Sequence, residues 1–349
     1  MVMTTSIDRA GRAVRPARRV AGGHTRVLAA GTGASVALVV LAVLGLVLGD
    51  FPVPVERIPS ILTGGGEQIE RTVVVDWRLT RVVAAVAVGA MLGVAGALFQ
   101  TVTRNPLASP DVLGLSSGAF SGMLLTLVLV SASWQALVAG SLVGGLVTAL
   151  AIQLLASRDG LQGFRIIVVG IGVSAMLASM NTWLLLQVEL ETAMFASAWG
   201  AGSLNGVAAA PLAGALTAGI PMAVGAFFLV PRMRQLELGD DLAAATGARP
   251  NVVRALALLA GVGLVSAATT VAGPVAFVAL AAPQVARRLT RTPSLPLGLS
   301  ALLGGVILLA SDLVAQHVLP TPLPVGVVTV SVGGVYLLSV IVLEVRRRA

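Results

Sequence analysis

The chain has 349 residues, 56% of them hydrophobic and only 11% charged, with a mean hydropathy of +0.96. Soluble domains carry about 25% charged residues, so a soluble globular protein is excluded. There is no cysteine and there are two histidines, His24 and His317, which excludes a disulfide framework, a thiolate nucleophile and a Cys-ligated metal and leaves little for an imidazole-built site. All 23 basic residues are arginine; without lysine there is no P-loop, and any ATP that drives this protein must be hydrolysed on another chain.

The first 26 residues hold six arginines and little apolar periodicity, and read as an Arg-rich cytoplasmic tail. A twin-arginine export signal at Arg18 and Arg19 was weighed against this. The apolar run that follows is long enough to span a bilayer and has no A-x-A cleavage pattern, so an anchor is expected. Residues 27–349 then form one all-α polytopic domain. Its ten predicted spans cover 27–49, 79–102, 114–131, 134–156, 165–187, 211–230, 255–272, 274–289, 297–316 and 325–343. The eighth is short and opens with Gly273-Pro274, which predicts a broken or tilted helix. Gly89-xxx-Gly93 and Gly140-xxx-Gly144 lie inside spans and predict close helix approach.

With the N-terminus inside, the inner segments hold 19 arginines and the outer ones four: Arg57, Arg71, Arg78 and Arg81. This positive-inside bias supports ten spans with both termini cytoplasmic.

Four segments carry chemistry. In LLASDLVAQH, Asp312 is the one acid well inside a span, read first as a hydrogen-bonded structural carboxylate and alternatively as an ion or proton relay. In VVVDWRLTRVV, Arg78 and Arg81 share a helix face at the outer membrane boundary, either snorkelling beside Trp77 or offering charge to acidic groups of an extracytoplasmic partner. QTVTRNPLASPDVLGLSSG is a structured inner turn broken by Asn105-Pro106 and Ser109-Pro110. The fourth is the inner loop 231–254, which contains LELGDDLAAATGARPNVVR. It is far longer than the roughly eight residues a plain connector needs. Asp240 and Asp241 complement a helix start, and Thr246-Gly247 stops the helix. The expected product is two short surface helices that expose acids near their start and small residues along one side, and dock a cytoplasmic protein.

In order along the chain, RLTRVVAAVAVGAMLGVAGALFQ (78–100), RNPLASPDVLGLSSGAFSG (104–122), RIIVVGIGVSA (165–175), WGAGSLNG (199–206), LGDDLAAATGA (238–248), VAGPVAFVALAAPQVARRL (271–289) and LPVGVVTVSVGG (323–334) resemble the permease subunits of ABC importers for iron-siderophores, haem and cobalamin. The resemblance covers nearly everything from residue 27 onward. It implies a ten-span permease in the bacterial cell membrane, working as a homo- or heterodimer with a path on the dimer axis. ATP and magnesium would be bound by partner ATPases, with no cofactor and no catalysis on this chain, and an extracytoplasmic binding protein would deliver the substrate, most often a ferric siderophore. Residues Leu238, Gly239, Asp240, Asp241, Ala244, Thr246 and Gly247 would form the ATPase-coupling loop. Arg78 and Arg81 would dock the binding protein, Gly163 and Phe164 would stand at the cytoplasmic gate, and Met176, Met180 and Asn181 would line the path. The chain departs from the cobalamin-type pattern at Gln316 and Pro322, where that pattern has an arginine and an acid. The competing reading is an ion-coupled secondary transporter with Asp312 as relay. An intramembrane enzyme finds no HExxH motif and no paired buried carboxylates.

Overall fold

The central element is a helical rod from Gln68 to Thr103, 36 residues long, where about 20 suffice to cross a bilayer. A computed structural model describes residues 21–111, 113–131, 133–156, 163–292, 296–318 and 320–348. It is all-helical among the described residues. The first span is α1 (Ala21–Val47), followed outside by two short helices, α2 (Ile58–Leu62) and α3 (Gln68–Arg71). A π-helical stretch, Thr72–Leu79, joins α3 to α4 (Thr80–Thr103). Then come α5 (Leu115–Leu129), α6 (Trp134–Ala156), α7 (Gly163–Leu185), α8 (Leu190–Gly200), α9 (Ala209–Glu237), α10 (Asp240–Ala245), α11 (Pro250–Ala272), α12 (Val278–Thr290), α13 (Leu297–His317) and α14 (Val325–Arg348).

Helices stand at all ten predicted span positions. Seven are long and apolar enough to cross a membrane by length and composition; α5 and the described apolar part of α14 are shorter. The helix α1 begins at Ala21, inside the stretch expected to be tail, and residues 1–20 lie outside the described residues. Only 6% of the apolar window of α1 is buried, against 78% for the rod that ends in α4. The first span is therefore peripheral and α4 is the core.

Small residues make that core possible, because no hydrophobic drive packs helix on helix inside a lipid phase. A Cβ on Gly89 would lie 2.3 Å from the Gly304 carbonyl oxygen, and one on Gly96 only 1.7 Å from that of Ala279. So α4 touches α13 and α12 backbone to backbone. A second seam joins α5 to α6, where a Cβ on Gly122 would meet the Gly140 carbonyl oxygen at 2.1 Å and one on Gly144 that of Gly118 at 2.4 Å.

The eighth span is broken, as Gly273-Pro274 predicts, but farther along than expected: α12 starts at Val278, not 274. Its 13 residues reach about 20 Å at 1.5 Å per residue, and the gap is filled by non-helical backbone buried among other helices. Gly273 (φ +68°) approaches the Trp199 carbonyl oxygen, where a Cβ would come within 1.9 Å. The Ser203 N–H donates to Ala272 O at 2.7 Å, and Gly326 N–H to Gly202 O at 2.8 Å. The end of α8, a helix absent from the sequence-based map, is thus bonded to the end of α11 and the start of α14. The indole of Trp199 stacks on Phe120 with centroids 5.6 Å apart.

Candidate functional site

The end of the bundle expected to be cytoplasmic is built around α10. Gly239, at φ +109°, lets the chain leave α9 and re-enter helix at once. Ala243 is fully buried and Ala248 nearly so, which fixes one side of α10 against α9 and α11. The other side is exposed: Leu238 (66%), Asp241, Leu242 (57%), Ala244, Ala245, Thr246 and Gly247 face solvent. Two exposed leucines beside a free carboxylate, at the arginine-rich end of the bundle, make an interaction surface.

The two acids of α10 have different partners. Asp240 Oδ1 accepts Arg104 Nη2 at 2.6 Å and Arg254 Nη2 at 2.5 Å. These bonds, that from Arg254 first, hold the Asp240 carboxyl below its ordinary value of 3.8. Arg104 Nη2 also donates to Leu236 O at 2.8 Å, a carbonyl in the last turn of α9 that also accepts the Gly239 N–H at 3.2 Å. Asp241 has no ion pair among the described residues. Spacing alone could not separate two neighbouring aspartates, since the partners lie 136 and 14 residues away.

At the outer end, Arg78 and Arg81 are occupied. Arg78 is 8% exposed. It donates to Leu46 O at 2.9 Å, Val47 O at 3.3 Å and Phe51 O at 2.6 Å, closing the C-terminus of α1. Arg81 Nε and Nη2 each donate to a carboxylate oxygen of Asp312 at 2.7 Å, a bidentate pair between α4 and α13. The expectation of two cations held out to a partner meets two cations that brace helices. Asp312, 2% exposed and fully paired, is the structural carboxylate of the first reading. Both arginines and Asp312 line an outer cavity of about 810 Å³, with Asp50, Asp76, Trp77, Gln316 and His317. More exposed at this end are Arg57 and Arg71, which enter the sequence pattern only through the charge asymmetry. Arg57 has a side chain 58% exposed and pairs with Glu70 at 2.8 Å; Arg71 is exposed.

Of the three residues proposed for the path, Met176 and Met180 stand four apart on one side of α7, and Asn181 is turned away from them. Met176 is 75% exposed. Met180 packs with Phe120, Met123 and Leu184, and Asn181, 5% exposed, points its Nδ2 at Ser117 O of α5 at 3.5 Å. Gly163 and Phe164 open α7; the loop before them, 157–162, and the Phe164 side chain lie outside the described residues.

The fold is a glycine-seamed helical bundle with a short charged helix set across one end, and the chain superposes with a TM-score of 0.77 on a metal-chelate type ABC transporter in an inward-facing conformation, covering 90% of this chain and 98% of that one at 23% identity. The class, a membrane permease of an ABC transporter, rests on the family and on the relatives. The chain belongs to the FecCD transport family, whose pattern matches residues 37–343. It is 46% identical over 313 residues to the ferric enterobactin transport system permease protein FepG of Escherichia coli K12, covering 89% of this chain and 95% of that one. It is 32% identical over 318 residues to FepD, a permease protein of the same named system in the same organism, covering 89% and 93%.

Proposed function

We propose that this chain imports ferric siderophores as one permease of a heterodimer, energised by cytoplasmic ATPases and fed by an extracytoplasmic binding protein. The observation that carries the reading is the face formed by Asp241, Leu242 and Ala244 of α10 with the preceding Leu238: apolar but for one carboxylate, exposed and fastened to the bundle. ATP and magnesium would sit on the ATPase, and both termini would be cytoplasmic. The second permease would be a related, non-identical chain, since the two relatives that bear one system's name differ in likeness to this one, at 46% and 32%. Arg57, whose side chain stays 58% exposed beside Glu70, and the exposed Arg71 support binding-protein docking better than the buried Arg78 and than Arg81, which is held on a buried acid. Met176 is the path residue of α7 that remains, and Gly163 with Phe164 stays the proposed gate. An ion-coupled mechanism finds no support, because its relay, Asp312, is held by Arg81.

The test is copurification in mild detergent. A tagged wild-type protein should bring down a Walker-motif ATPase in stoichiometric amount, and an Asp241→Arg, Leu242→Asp variant should lose it while remaining folded. A well-folded wild type with no ATPase bound would sink the reading.

A further inference from the structure

Arg104 ends α4 in the left-handed region, at φ +51°. A non-glycine residue pays about 1 kcal/mol or more for that conformation, and glycine would adopt it freely. Arginine therefore costs stability at this position, and what it adds is the guanidinium. That group reaches Leu236 O, at the end of α9, and Asp240 Oδ1, at the start of α10. Arg254, on the first turns of α11, reaches the same Oδ1 from the other side. One carboxylate thus gathers the inner ends of α4, α9 and α11 onto the short helix that carries the exposed docking face.

We propose that Arg104 and Arg254, clamped on Asp240, are the positioning residues that make α10 move as one body with α4 and α11, so that displacement of α10 by its partner is delivered to the core span. This rests on the reading of α10 as the ATPase-docking helix. Both members of the Arg104–Asp240 pair are about half exposed, 48% and 46%, and such pairs contribute little to folding. An Arg104–Asp240 arm with small folding value that joins a docking element to the bundle's most buried helix has its use in transmission, while Arg254, with its side chain 14% exposed, fastens the same carboxylate to α11. The geometry is directional as well: Asp240 faces the bundle while Asp241 and Leu242 face outward, so the clamp can be opened without touching the docking face.

Arg104→Gly separates the roles, because it removes the guanidinium and relieves the backbone. The assembled transporter, with its ATPase and binding protein, is assayed with radiolabelled ferric enterobactin. Arg104→Gly should bind the ATPase and unfold at or above the wild-type temperature. The amount of chelate carried per ATP hydrolysed should fall by about five- to a hundredfold, the range typical of a coupling free energy between two sites. Asp240→Asn should reproduce the loss, and Arg104→Lys, which keeps a donor for Asp240, should recover much of it. Wild-type transport per ATP in Arg104→Gly would overturn the clamp and leave the docking reading intact. Loss of ATPase binding in Arg104→Gly would also overturn it, by making Arg104 part of docking. Failure of the wild type to bind any ATPase would instead overturn the reading on which the clamp rests.

Discussion

Arg78 and Arg81 sit three residues apart on one helix, and each ends up with a different employer: the open carbonyls of α1 for one, the carboxylate of α13 for the other. The Arg81–Asp312 pair is buried on the acid's side, with side-chain exposures of 25% and 3%. Removing one member of such a pair leaves a charge without compensation, at about 3 kcal/mol or more. Asp312→Leu should therefore lower the thermal unfolding temperature in detergent sharply. Asp312→Asn keeps one acceptor for Arg81 and should retain uptake within a few-fold; abolished uptake in a stable Asp312→Asn protein would revive the relay. Asp240 supplies a pH prediction. Its pKa is lowered by Arg254 and Arg104, so its contribution is complete at neutral pH, above the unfolded-state value. That contribution is lost only as pH falls through the lower folded-state value, below about pH 4. The difference in unfolding temperature between wild type and Asp240→Asn should be constant from pH 8 to about 5 and shrink only in stronger acid.

Among the elements, α4 is set by what its glycines allow. With the Ala279 carbonyl oxygen 1.7 Å from where a Cβ would stand, Gly96→Ala must push α12 away, and overpacking of this kind costs about 1–3 kcal/mol or more. Gly225 in α9 has nothing within 4 Å of the corresponding point. Gly225→Ala should be neutral or stabilising, by up to about 1 kcal/mol from helix propensity. Thermal unfolding of the two variants in detergent checks the contrast, and equal effects would refute the backbone seam. The π-helical stretch Thr72–Leu79 belongs to the same scale. Hydropathy places the second span at 79–102, and it cannot reveal that the helix continues to Gln68, because Glu70, Arg71, Asp76 and Arg78 interrupt the apolar run and the continuation depends on α1 and α2 packing against it. For the same reason α8 escaped notice: its 11 residues are too few for a span, and its position comes from the junction with Ala272 and Gly326.

For the whole molecule, function divides between two ends. The inner end offers α10. The opposite end offers the exposed Arg57 and Arg71 and, lined by other residues, a cavity of about 810 Å³. If acidic groups on a binding protein dock there, Arg57→Glu with Arg71→Glu should weaken its capture by about tenfold or more at low salt, with less effect at high salt. Surface-plasmon binding of the substrate-loaded binding protein to the reconstituted transporter reads this directly, and unchanged affinity would remove both arginines from the interface.

The sequence by itself determined the membrane class, the order of the helices that stand at the ten predicted span positions, the charge asymmetry of their connections and the presence of a short helix in the loop 231–254. Those properties are local: they depend on runs of apolar residues, on breakers and on where arginine is tolerated. Only the tertiary structure decided which charges are free. Arg81 finds Asp312 across 231 residues and Arg104 finds Asp240 across 136, encounters that depend on which helix ends the glycine seams bring together. Neither composition nor spacing encodes that meeting, so arginines that look alike in the sequence become a cap, a brace, a clamp and an exposed charge only once the bundle has packed.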